Sequence, residues 1–215
     1  MRAESQVKSY LSAVMFYGGL WGLAECTLGY PLHLLSRVIP VSAVAGTIMF
    51  PVGLLLMLGA LRATGQASSA LSAAAVTATI KALSLLLPSV SFQFVRNPLL
   101  AILAEGLTVF LVAGVCGIEG GRLLAPQALL MSVGWRVVFL AVNVALGLRG
   151  GILAKPAPEL LRYLFFDSAV NAVIISAAAY TSRRVSWYPV GRPALPAAVL
   201  AVMVAFGAEA LFAAI

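Results

Sequence analysis

Apolar residues run through this chain in blocks near or above 20 residues, at about 10–32, 39–61, 67–88, 98–118, 126–148, 158–180 and 193–215. A helix of that length crosses a hydrocarbon core about 30 Å thick. The pattern predicts an all-α, polytopic helical membrane protein with six to seven transmembrane helices in one bundle, residues 1–215 forming a single transmembrane domain. Six is the alternative because the fifth and sixth blocks carry Arg136, Arg162 and Asp167, which would make one of them re-entrant or tilted. The opening MRAESQVKSYLSAVMF has a basic start, yet its apolar run outlasts a signal peptide and shows no small-residue cleavage site, so it is expected to be a retained span.

Between the blocks stand turn formers: Pro31, Pro40, Gly65, Pro88, Pro98, the Gly pairs at 120 and 150, Pro126, Pro156, Pro158, Pro189, Pro193 and Pro196. Pro51 differs because it falls inside the second block, where it should kink the helix and free backbone carbonyls. In the third block Ala70, Ala74, Ala78 and Ala82 recur every four residues, a face with little bulk along which another backbone can approach. Gly18 and Gly22 form a shorter face of that kind. Either face packs within the protein or docks a partner subunit.

Composition agrees with the pattern. The chain is 62% hydrophobic and 10% charged, whereas soluble domains run at about 25% charged. Its basic residues are scattered through short loops and form no aromatic-interleaved patch, so nucleic acid is not an expected partner; membrane lipid headgroups explain the excess better. Arg183 and Arg184, close to a span end, favour a cytoplasmic N-terminus and a multi-pass protein of the cell membrane. Cys26 and Cys116 both fall in apolar blocks without CxxC or Cys/His spacing and read as small buried packing residues. His33 alone is too few for a multi-His metal or haem site, and no cofactor is expected; it reads as an interfacial residue or as a loop contact to solute. No phosphate-binding loop, GxSxG or dinucleotide fingerprint occurs, so the chain is not expected to be an enzyme, and energy for uphill transport would come from an ion gradient or a partner.

The candidate chemistry lies in charges set within the blocks. Glu25 falls late in the first, Lys81 late in the third, Glu105 early in the fourth and Glu209 late in the seventh. Successive spans run in opposite directions, so these four share one half of the bilayer, the outer half when the N-terminus is inside. Arg136 and Asp167 come nearer the middle, with Asn143 and Asn171 as neutral polar groups, and Asp167 and Asn171 share a helix face at i, i+4. Each charge facing lipid would cost about 2.5 to 3.5 kcal/mol, about 15 to 20 kcal/mol for six, which exceeds ordinary domain stability. They are therefore expected to face inward. Two readings stay open. In one, Lys81 pairs with Glu105, and Arg136 with Asp167 or Glu25, as structural glue. In the other, Glu25, Lys81, Glu105, Arg136, Asp167 and Asn171 give polar contacts to a solute, with Trp21, one turn from Glu25, as a stacking surface. Four acids against two bases leave two carboxylates to be protonated or to receive a cationic or hydrogen-bonding solute.

A small, basic, Gly- and Ala-rich chain of about six spans, with intramembrane Lys81 and a following span opening on Asn97 and Pro98 and carrying Glu105 and Gly106, resembles the S components of energy-coupling factor (ECF) transporters. The resemblance implies a substrate-capture subunit for uptake of a vitamin or similar micronutrient, working with a transmembrane coupling subunit and two ATPase subunits. It also implies an outward-open pocket and toppling of the whole subunit to release the solute. The family's Ala-xxx-Ala coupling face is missing from the first span, so Gly18 and Gly22 or the third-span alanines would have to serve. A Met-His amino terminus, used by related cobalt and nickel capture proteins, is also missing, which disfavours a transition-metal substrate. The alternative to transport is a non-catalytic membrane anchor or structural subunit of a larger membrane complex.

Overall fold

The computed structural model describes residues 2–29, 32, 44–86, 92–118, 123–184 and 193–214, and no strand occurs among them. The apolar blocks fold as helices. α1 is Arg2–Ala24 and runs on through a π-helical turn, Glu25–Gly29. α2 is Val44–Thr64, and α3 is Ser68–Ala82 with a 3-10 turn, Leu83–Leu86. α4 is Phe92–Cys116 and α5 is Ala125–Ala145. α6 begins as Ala157–Leu161, widens into a second π turn, Arg162–Phe166, and continues as Asp167–Arg184. α7 is Leu195–Ala214. Six of these, α1 to α6, are long and apolar enough to cross a membrane, and the fifth and sixth blocks are both full-length.

Boundaries differ from the pattern where local chemistry overrides hydropathy. α1 starts well before the apolar block because Glu4 and Lys8, one turn apart, pair at 2.9 Å on its exposed face. α4 starts at Phe92, so Pro98 sits inside the helix where the sequence predicts its edge. The ring removes one backbone donor, a loss that neighbouring groups in a bundle can make good. Pro51 likewise lies within α2. α5 ends where Gly147 takes a left-handed φ of 68° and the Leu148 amide donates back to the Asn143 carbonyl at 2.9 Å, a glycine-terminated helix end.

α2 packs against α1, α3, α4 and α6; α5 bridges α4 and α6; and α7 lies along the outside of α1. Large side chains fill small-residue gaps. Trp21 of α1 lies against Gly53 of α2, where a Cβ would fall 2.6 Å from the indole. Tyr17 lies against Gly59 in the same way. α1 and α3 run in parallel, and the Thr77 hydroxyl of α3 donates to the Gly18 carbonyl at 2.9 Å.

The small-residue faces are occupied within the chain. Ala70, Ala74 and Ala78 are buried, and Ala74 packs on Gly106 of α4. Gly18 meets Ala73 and Val76, and Gly22 meets Ile80 and Ala205. Neither face is free for a partner subunit, because α3 and α4 in one case, and α1, α3 and α7 in the other, use the close approach themselves. Cys26 is buried, its thiol donating to the Gly22 carbonyl at 2.9 Å, whereas Cys116 is exposed at the end of α4, contrary to its expected burial.

Candidate functional site

The buried charges separate into three groups. In the first, Lys81 of α3 meets Glu209 of α7, Nζ to Oε1, at 2.8 Å, and the Ser84 hydroxyl donates to the same carboxylate oxygen. Lys81 therefore does not pair with Glu105, as the glue reading expected. Lys81 points to the side of α3 that α7 covers, whereas Glu105 lines a cavity with residues of α2, α5 and α6.

The second group is built on Arg136 of α5, which is fully buried. Its Nη1 donates to the Ser132 carbonyl at 2.9 Å and to Ser168 Oγ of α6 at 3.2 Å, and Nη2 donates to Asn171 Oδ1 at 3.3 Å. Asn171 in turn donates to the Gly46 carbonyl of α2 at 3.4 Å, so one guanidinium ties three helices. No ion pair joins Arg136 to Asp167 or Glu25 among the described residues. Neutral acceptors take its Nη donors, its Nε has no hydrogen-bond partner among the described residues, and Asp167 and Glu105 lie within electrostatic reach. The guanidinium carbon stands 4.6 Å from the Trp135 ring centre and 5.2 Å from that of Tyr163, fixing both rings.

The third group lines a cavity of about 300 Å³ bounded by α1, α2, α4, α5 and α6. Glu25, Glu105, Asn97, Trp135, Phe139 and Tyr163 supply its chemistry, with Gly46, Met49, Pro98 and Ile102 among the apolar walls. Glu105 is 3% exposed, and its Oε2 has no hydrogen-bond partner among the described residues. Trp135 is as buried, and its indole Nε1 likewise has no hydrogen-bond partner among the described residues. Buried polar groups are nearly always satisfied, so two orphans on one cavity mark a place where something else completes the bonding. Glu25 is held from one side by the Trp21 indole, Nε1 to Oε1 at 3.3 Å.

Local backbone structure aims two of these residues. Glu25 opens the π turn of α1, and Tyr163 lies in the π turn of α6. A π turn inserts a residue and swings the following side chains round the helix, a device common at functional sites. Trp135 meets Tyr163 edge to face at 6.2 Å and Phe50 of α2 at 5.6 Å, which sets the aromatic wall.

Of the seven residues expected to contact solute, Glu25 and Glu105 line the cavity. Arg136 and Asn171 lie behind its aromatic wall, and Asp167 borders them. Lys81 belongs to the α3–α7 pair. Trp21 does not supply the stacking face: it is sealed against Gly53 and serves to hold Glu25. Trp135 lines the cavity instead, with Tyr163 buried beside it. Tyr163 lies in the π turn that precedes Asp167 and Asn171, so α-helical counting along the sequence does not link it to them. His33, Arg37, Trp187 and Tyr188 lie outside the described residues, as do the side chains of Arg183 and Arg184. Among the described residues no group of three His, Cys, Asp or Glu side chains is arranged to hold a metal ion. No protein-family model, no curated protein and no solved structure matches this chain.

Proposed function

We propose that this protein is the membrane-embedded substrate-binding subunit of a micronutrient uptake transporter, capturing a small, vitamin-like molecule in a cavity open to the outside of the cell membrane. The observation that carries the reading is the Glu105 carboxylate, whose Oε2 has no hydrogen-bond partner among the described residues, on a cavity with an aromatic wall, also lined by Asn97 and Pro98. Asn97, Pro98 and Glu105 are among the residues on which the resemblance to ECF S components rests, and Gly106 lets α4 close on α3. An ionisable residue at such depth is functional by default. A volume of about 300 Å³ suits a small solute, the lower end of ligand pockets. In this reading the chain binds its solute without transforming it. A transmembrane coupling subunit and ATPases provide the energy, and the N-terminus is cytoplasmic.

Native mass spectrometry of protein released from its membrane in mild detergent tests the proposal. Wild type should carry a small molecule that Glu105→Ala loses at least tenfold, with both proteins equally folded. Wild type free of any small molecule, or equal retention by the variant, would remove solute capture.

A second reading, a structural subunit of a membrane complex, is favoured by one feature. A surface groove of about 510 Å³ runs between α1, α3 and α7, lined by apolar residues including Met15, Val76, Ile80, Met203 and Phe206. Stable co-purification with further subunits, together with no retained solute, would support that reading over the first.

A further inference from the structure

The cavity also carries a preference among solutes, an inference that rests on solute capture at this site. Around and behind it the buried charged groups are Glu25, Glu105, Asp167 and Glu209 against Lys81 and Arg136, an excess of acids among the described residues. The pairing found in the fold says where that excess lies. Lys81 is engaged by Glu209. Arg136 is anchored behind the rings on Ser132, Ser168 and Asn171, in reach of Asp167. Glu25, within electrostatic reach of Lys81, and Glu105, within reach of Arg136, form no ion pair among the described residues, and both line the cavity. Glu25 accepts a single long hydrogen bond from Trp21, and Glu105 Oε2 accepts none among the described residues.

Two acidic side chains facing one low-dielectric space repel each other when ionised, and a neutral or anionic occupant leaves that repulsion in place. A cation between them removes it. The walls add to this preference, because aromatic faces attract cations and Phe139, Tyr163 and Trp135 surround the space. Trp135 Nε1, without a hydrogen-bond partner among the described residues, is a donor, so an occupant that satisfies it carries an acceptor. We infer that the site takes a compact, single-ring organic cation bearing a hydrogen-bond acceptor, with Glu105 as its principal counter-charge, Glu25 as the second, and the Trp135 indole donating to the acceptor.

Three near-isosteric probes separate charge from shape: 1-methylnicotinamide as the cation, 3-methylbenzamide as its neutral counterpart and 3-methylbenzoate as the anion. Binding to the purified full-length protein is measured by titration calorimetry. The cation should bind at least tenfold tighter than the amide, and the benzoate more weakly than either. Glu105→Gln, which keeps shape and removes charge, should weaken the cation at least tenfold and leave the amide within about twofold. Glu25→Gln should do the same to a smaller degree, and unchanged thermal midpoints show that both variants fold. An amide or benzoate that binds as well as the cation overturns the charge assignment and leaves solute capture standing. Failure of all three to bind also overturns it, while capture is then decided by the mass-spectrometric result alone.

Discussion

Lys81 and Glu209 illustrate what a buried charge does when it is not part of a site. The ammonium and carboxylate meet at 2.8 Å with Ser84 on the same oxygen, and Lys81 is 7% exposed. Removing one member of such a pair leaves a charge without its partner, at a cost of about 3 to 5 kcal/mol, whereas replacing both by apolar side chains is often neutral. Lys81→Met should therefore lower the thermal midpoint sharply in detergent, and Lys81→Met combined with Glu209→Met should recover most of the loss. A double variant as unstable as the two single losses added together would show that the residues act separately. Glu105 is predicted to behave oppositely: Glu105→Gln removes a charge that forms no ion pair among the described residues, so stability should hold or rise while solute binding falls.

Helices approach one another here through paired large and small residues, with Trp21 on Gly53, Tyr17 on Gly59 and Ala74 on Gly106. Gly53→Val would drive side-chain atoms into the Trp21 indole, an overpacking cost of about 1 to 3 kcal/mol. It would also displace the donor that holds Glu25. The thermal midpoint should fall and cation binding should weaken with it; Gly53→Val at wild-type stability would contradict the packing described. At this scale the sequence was legible in part. Seven helices with approximate limits follow from hydropathy, though six of them are long and apolar enough to span a membrane, and the burial of Glu25, Lys81, Glu105 and Glu209 follows from the cost of a charge against lipid. Which charge meets which does not, because partner choice depends on rotation about each helix axis, and Lys81 and Glu105 lie on faces turned to different neighbours. The two π turns were invisible for a related reason: one inserted residue resets the 3.6-residue phase from which faces are read, so the directions of Glu25 and Tyr163 could not be counted. Pro98 read as a boundary because proline usually ends helices, yet α4 begins at Phe92.

The whole molecule is a helical bundle in which α2 is packed by four other helices, the small-residue faces are used internally, and one cavity keeps two acidic side chains and an aromatic wall in reach of a solute. Charges that would be costly against lipid are buried inside the bundle, two of the acids on that cavity, which links the stability of the bundle to its proposed task. An N-terminus inside the cell puts the start of α4 at the outer face. Asn97, exposed and lining the cavity there, is the reporter of choice. The most direct measurement is labelling of Asn97→Cys by a membrane-impermeant maleimide in intact cells, with Cys26 and Cys116 replaced by Ala, in the absence and presence of 1-methylnicotinamide. The account predicts labelling from outside that the cation slows severalfold, an effect lost when Glu105→Gln is added. Labelling that requires permeabilised cells, or a rate indifferent to the cation, would contradict an outward-open cavity that captures its solute through Glu105.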